Sequence, residues 1–133
     1  MRTYNIFISH SWTYSDHYNR LADMFKSEPY FDYRDYSVPK DSPIHNAPTT
    51  WQLREAIENQ IRFCHAVVIM AGVYSSYSKW INIEIEIAKK FGKPIIAVIP
   101  WGQERASQTV QEAAHRVVRW NAAPIVQAIK DLT

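Results

Sequence analysis

Apolar residues in this chain follow two rhythms, short continuous runs and helical stripes, which alternate from one end to the other. The first run, residues 4–9 (Tyr-Asn-Ile-Phe-Ile-Ser), reads as a short, mostly buried strand. A hydroxyl-rich turn follows. Asp16 or Ser15 can cap a helix reaching about Ser27, with Tyr18, Leu21, Ala22 and Phe25 at helical spacing and Pro29 as its stop. Residues 30–36 alternate aromatics with Asp32 and Arg34, the pattern of a second strand. Thr50 caps a helix reaching about Phe63, whose inner side is Leu53, Ala56, Ile57 and Ile61. Residues 65–71 make the third and most apolar strand, residues 94–100 the fourth and residues 116–120 a short fifth. Helices are expected near residues 107–115 and after Asn121. The last carries Ile125, Val126, Ile129 and Leu132, with Pro124 in its first turn, where a missing N–H costs little.

Residues 75–91 fit either rhythm. Ile81, Ile83, Ile85 and Ile87 alternate with Asn82, Glu84 and Glu86, as in a half-buried strand. The flanks favour a helix: serines precede it as caps, Lys89 and Lys90 stand where a helix C-terminus favours cations, and Gly92 and Pro94 follow as stops. The strands on either side also need a crossover helix if they are parallel. At 100° per residue Trp80, Ile81, Glu84, Ile87, Ala88 and Phe91 share one face, against Asn82, Glu86, Lys89 and Lys90. Glu84 is then a carboxylate in the middle of an apolar stripe. Burying such a group is costly unless it is paired, so Glu84 is either a structural carboxylate on an amide or arginine, or a site residue.

Strand and helix alternating five times predict a doubly wound α/β domain: a flavodoxin-like, five-stranded parallel sheet of order 2-1-3-4-5, spanning residues 1–133 as one unit. Ligands of that fold bind outside the carboxyl ends of the strands, at the switch between strands 1 and 3. Residues 9–14, the loop 37–50, residues 71–78 and the start of the Trp80/Glu84 helix would converge there. The loop contains Pro39, Pro43 and Pro48 with few apolar anchors, and is expected to be mobile without ligand and to cover part of the site.

Composition narrows the field. Of 133 residues 47% are hydrophobic and 21% charged, which is globular, and the net charge of +2 with no Lys/Arg cluster gives no reason to expect nucleic acid as a partner. No apolar run approaches a membrane span, the start at Met1 has no signal-peptide pattern, and the lone Cys64 fits a reducing compartment. A cytoplasmic protein is expected. Five tryptophans and eight tyrosines exceed packing needs, and some could stack on a flat ligand.

Several common tenants of the fold are excluded. The only glycines are Gly72, Gly92 and Gly102, so neither a dinucleotide fingerprint nor a phosphate-binding loop exists. The strand ends Ser9-His10 and Ala71-Gly72 lack a receiver domain's acidic residues. His10, His17, His45, His65 and His115 are scattered without metal-ligand spacing, so no metal is expected. A serine elbow is missing, and Cys64, heading a strand, reads as core rather than nucleophile.

Three segments carry a resemblance. Asn5-Ile-Phe-Ile-Ser-His-Ser11 resembles the first box of Toll/interleukin-1 receptor (TIR) domains, and Phe31-Asp-Tyr-Arg-Asp-Tyr-Ser-Val-Pro39 resembles the second, with Lys40 where glycine often follows the proline. Tyr74-Ser-Ser-Tyr-Ser-Lys-Trp80 followed by Glu84 is similar to the third, with its Trp-x-x-x-Glu spacing. The likeness is to the short stand-alone TIR-like proteins of bacterial Thoeris antiphage defence, and it runs over nearly the whole chain.

The resemblance implies an NAD⁺-consuming enzyme in which Glu84 is catalytic. Ser9, His10, Ser11, Trp12, Tyr36, Pro39, Tyr74, Ser75 and Trp80 would then line the substrate site. It further implies NAD⁺ as substrate rather than cofactor, TIR–TIR self-association, and a nucleotide product, ADP-ribose or a cyclic isomer, read by a separate effector protein. Two other readings remain open: a non-enzymatic TIR-type interaction module, and a nucleoside deoxyribosyltransferase-like enzyme with a carboxylate nucleophile.

Overall fold

The computed structural model describes residues 2–9, 16–36, 50–70, 79–99 and 108–133. The chain runs β1 (Thr3–Ile8), α1 (Asp16–Ser27), β2 (Asp32–Asp35), α2 (Thr50–Ile61), β3 (Ala66–Met70), α3 (Lys79–Lys90), β4 (Ile95–Ile99), α4 (Gln108–Ala113), β5 (Arg116–Arg119) and α5 (Ala122–Leu132). The strands form one five-stranded sheet of order β2-β1-β3-β4-β5, every neighbouring pair parallel. The predicted doubly wound order is therefore observed. Residues 37–49, including the proline-rich loop, lie outside the described residues, and so does its expected mobility.

Strand periodicity distributes the core over two faces, since successive side chains of a strand point opposite ways. Ile6, Ile8, Ala66, Val68, Ile96 and Val98 face one way and pack under α1 and α5, against Leu21, Phe25, Ile125, Val126, Ala128 and Ile129. Phe7, Val67, Ile69, Ile95 and Ala97 face the other way, under α2, α3 and α4, against Ile57, Ile61, Ile81, Ile87 and Val110. Because α1 and α2 cover opposite faces, the chain leaves β1 in one direction and later returns beside it as β3. The switch point thus lies between β1 and β3, as the predicted order requires.

The residues 75–91 segment is helical over Lys79–Lys90 and ends as its stop signals predict. Gly92 takes a left-handed φ of 65°; its N–H donates to Lys89 O at 3.1 Å, and the Lys93 N–H donates to Ala88 O at 2.8 Å. This pair of bonds satisfies carbonyls that a helix end leaves open. Burial extends beyond the expected stripe: Ile83 and Ile85 are buried along with Ile81, Glu84, Ile87 and Ala88. Ile83 lies on the flank of Glu86 and Lys90, where α2 meets α3 side by side, and Ile85 lies on the opposite flank of the stripe. Arg54 bonds Glu86 at 3.0 Å, and Lys90 bonds Glu58 at 3.1 Å along the rim of that contact.

Several predicted ends shift by one or two residues, and one predicted cap is not made. The second strand begins at Asp32 rather than residue 30, because Tyr30 has a φ of 60° and is 83% exposed. Asn121 occupies the N-cap of α5 in extended geometry but makes no side-chain cap bond.

Candidate active site

Ser9 is the first residue after β1, and its backbone continues the ladder: its N–H donates to Val68 O of β3 at 2.9 Å. By the two-residue period Ser9 shares the face of Phe7, the side covered by α3. Glu84, on the second turn of α3, comes down onto this point. The Ser9 hydroxyl donates to Oε2 of Glu84 at 2.6 Å, and both residues are fully buried. The helical and strand periods together thus deliver an acidic side chain to the carboxyl end of the sheet, at the β1/β3 switch.

Among the predicted site residues, Ser9 and Glu84 are brought into direct contact. Tyr36 reaches the same edge from β2: it is half-buried, and its N–H donates to Ile6 O at 2.8 Å, three residues before Ser9. Trp80 lies in the first turn of α3, one turn ahead of Glu84, as the spacing predicts, but its side chain falls outside the described residues. His10, Ser11, Trp12, Pro39, Tyr74 and Ser75 also lie outside them.

Other groups contrast with Glu84. Glu86, two positions away, is exposed and its carboxyl is held below its usual range, first by the hydrogen bond from Arg54 and then by that residue's charge. Cys64 is buried, and burial pushes its thiol up to about 11 against an opposing pull from Lys93. A thiol so protonated is a core group, as its place at the head of a strand predicts. His65 and His115, scattered in sequence, each have a defined structural role. Nδ1 of His65 accepts the Asn5 N–H at 2.8 Å, and Nδ1 of His115 accepts the Ile95 N–H at 3.0 Å. No periodicity announces such bonds, since they join residues across the sheet.

Two cavities lie elsewhere. One, of about 350 Å³, is lined by Lys26, Phe31, Asp32, Tyr33 and Asp35; the other, of about 380 Å³, by Trp51, Arg54, Glu55 and Glu58. Neither includes Ser9 or Glu84, and both are lined by ionic side chains that are exposed or partly exposed. The buried contact at the sheet edge is the stronger candidate, because it combines a sequestered carboxylate with the fold's ligand-binding position. Among the described residues no helix is long and apolar enough to cross a membrane.

The family model of the Thoeris protein ThsB, TIR-like domain, matches residues 7–105, an interval that contains both Ser9 and Glu84. The chain belongs to the ThsB TIR-like family. Among curated proteins none matches the sequence. Solved structures share the fold at low identity. A conserved protein from Enterococcus faecalis V583 has a TM-score of 0.63 and 13% identity, over 98% of this chain and 99% of that one. The CMP N-glycosidase BcmB of Clostridium botulinum has a TM-score of 0.56 and 16% identity, over 95% and 98%. A prokaryotic SEFIR domain has a TM-score of 0.50 and 14% identity, over 96% and 94%. At these identities the likeness establishes the fold, and the family model agrees with the Thoeris TIR-like resemblance read from the three boxes.

Proposed function

We propose that this ThsB TIR-like chain cleaves the bond between nicotinamide and ribose in NAD⁺, with Glu84 as the catalytic residue. The observation that carries this reading is the fully buried Glu84 at the carboxyl edge of the sheet, held by Ser9. When the C1′–N bond breaks, its electron pair stays with the pyridinium nitrogen and nicotinamide leaves neutral. Positive oxocarbenium character is left on C1′ and the ring oxygen. A carboxylate placed beside that charge in a water-poor site stabilises it far more than it would in water. Water adding to C1′ gives ADP-ribose and one proton. A nucleophilic nitrogen or hydroxyl of the same molecule gives a cyclic isomer, which would serve as a signal in antiphage defence. The leaving group needs neither a metal nor a strong acid.

A second reading shares the carboxylate and the bond type. The similar fold of the CMP N-glycosidase makes a nucleoside or nucleotide N-glycosidic bond an alternative substrate, including deoxyribosyl transfer. The TIR-like assignment also leaves a purely associative role as the negative outcome of the test. Purified protein incubated with NAD⁺, and separately with nucleosides and CMP, should release nicotinamide only from NAD⁺, as read by mass spectrometry. Glu84→Gln keeps shape and hydrogen bonding but removes the charge, and turnover should fall by at least about 10²–10³-fold. Folding should survive. Base release from CMP or deoxynucleosides alone would transfer the site to the second reading. Unchanged NAD⁺ turnover in Glu84→Gln would remove Glu84 from the chemistry.

A further inference from the structure

We infer that Ser9 is a positioning residue, whose hydroxyl sets the orientation of the Glu84 carboxylate, rather than a group that binds substrate. The inference rests on the proposed N-glycosidic chemistry for its consequence in rate, but on geometry for its existence. A glutamate on a helix has three rotatable side-chain bonds and can point its carboxylate in several directions. Catalysis by charge requires one direction, and misplacing a reacting group by about 1 Å can cost on the order of 10²-fold.

Ser9 supplies a fixed anchor for one oxygen of the Glu84 carboxylate. Its backbone is tied into the β1–β3 ladder through the 2.9 Å bond to Val68 O, beside Ile8, which pairs in register with Val68. A serine has a single rotor between this fixed backbone and its hydroxyl. The resulting bond, 2.6 Å between Ser9 Oγ and Glu84 Oε2, lies in the range of hydroxyl–carboxylate bonds strengthened by charge. It links residues 75 positions apart, from a strand end and a helix covering that strand. A hydroxyl making this bond to the carboxylate cannot give the same proton to a substrate ribose. Ser9 therefore acts through Glu84.

The test is a double-mutant cycle on NAD⁺ turnover with wild type, Ser9→Ala, Ser9→Thr, Glu84→Gln and the Ser9→Ala/Glu84→Gln pair, each assayed below its own melting temperature. Ser9→Ala should lower kcat by about 10–100-fold with KM nearly unchanged, since the interaction lost serves the transition state. In the Glu84→Gln background Ser9→Ala should change the residual rate little, because no carboxylate remains to be placed. Ser9→Thr keeps the hydroxyl and should recover most of the rate.

A loss of equal size in both backgrounds, a loss confined to KM, or full activity in Ser9→Ala would overturn the inference. A second readout is independent of turnover: the ¹³Cδ resonance of Glu84 in glutamate-labelled protein. It should move in Ser9→Ala and return towards its original position in Ser9→Thr. If the wild type consumes no NAD⁺, the functional reading fails and this resonance alone decides: a signal unmoved by Ser9→Ala removes the positioning role, and a moved one keeps it.

Discussion

Glu84 and Glu86 stand two residues apart in a sequence, Ile83-Glu-Ile-Glu-Ile87, that looks nearly symmetric about Ile85. On a helix two residues are 200° apart, so one carboxylate enters the core and the other meets solvent and Arg54. Cys64 shows the same dependence on position. Fully buried and with its thiol pushed up to about 11, it presents little thiolate at mildly alkaline pH. Relative to an ordinary thiol near 8.5 the thiolate fraction at pH 8 is lower by about two orders of magnitude. Alkylation of the native protein should therefore be slower than in denaturant by about that factor or more, because access is restricted as well. Equal labelling rates in buffer and in denaturant would show that Cys64 is not the core residue described. The Trp-x-x-x-Glu spacing made Glu84 legible as a candidate, but its contact with Ser9 was not. Strand period places Ser9 on the Phe7 face and helical period places Glu84 on the sheet-facing stripe. Neither period fixes how far α3 is offset along β1, which decides whether the two meet.

At the scale of elements, every strand and helix read from the sequence is present, with ends moved by one or two residues where backbone geometry outweighs pattern. Tyr30 is the plainest case: aromatic and in alternation with its neighbours, it looks like strand, yet its positive φ puts it in the turn that follows α1. Burial in α3 was only half legible. A helix covered from one side would show a single stripe, whereas α3 packs on the sheet and also against α2, so Ile83 is buried too, and Ile85 on the other flank is buried as well. Which helix lies beside which is a property of the sheet order, not of the local sequence. This arrangement predicts an asymmetry between the apolar packing of α3 and its ion pairs. Ile87→Ala removes a fully buried side chain and should destabilise the protein by about 2–5 kcal/mol. Arg54→Ala breaks the rim pairs with Glu86 and Glu58, whose members are partly exposed and screened by solvent, and should cost far less than the loss of Ile87. Urea denaturation of the two variants checks this. An Arg54→Ala loss matching that of Ile87→Ala would mean that ionic pairing, not apolar packing, holds α3 to α2.

For the molecule as a whole, a parallel sheet must begin each crossover strand in the right register, and two histidines do this in the same way. His65 precedes β3 and His115 precedes β5. The His65 N–H donates to Asn5 O at 2.6 Å while its Nδ1 accepts the Asn5 N–H; the His115 N–H donates to Ile95 O at 2.8 Å while its Nδ1 accepts the Ile95 N–H. Each ring thus extends a ladder by one rung, between β1 and β3 and between β4 and β5. An acceptor Nδ1 requires a neutral ring with its proton on Nε2; protonation would set N–H against N–H. His65 resists that protonation: burial first, then the charges of Arg2 and Lys93, lower its pKa from the ordinary 6.5. The sign follows from linkage. Above about pH 6.5 both folded and unfolded chains carry a neutral His65, and its contribution is fully present. As pH falls below that value the unfolded chain takes up the proton first, so stability declines until the folded pKa is passed, at no more than about 1.4 kcal/mol per pH unit for one group. The carboxyls of Glu86 and Asp131, both held below their usual values, act only at lower pH, from about 4.5 downward, and leave this window clear. His65→Asn retains an acceptor at the δ position but does not titrate. Urea unfolding of wild type and His65→Asn between pH 5 and 8 should give parallel stability curves above pH 7 and a steeper fall for wild type below 6.5. Curves that stay parallel down to pH 5 would mean that the His65 clasp survives protonation and that the sheet edge is held by other bonds.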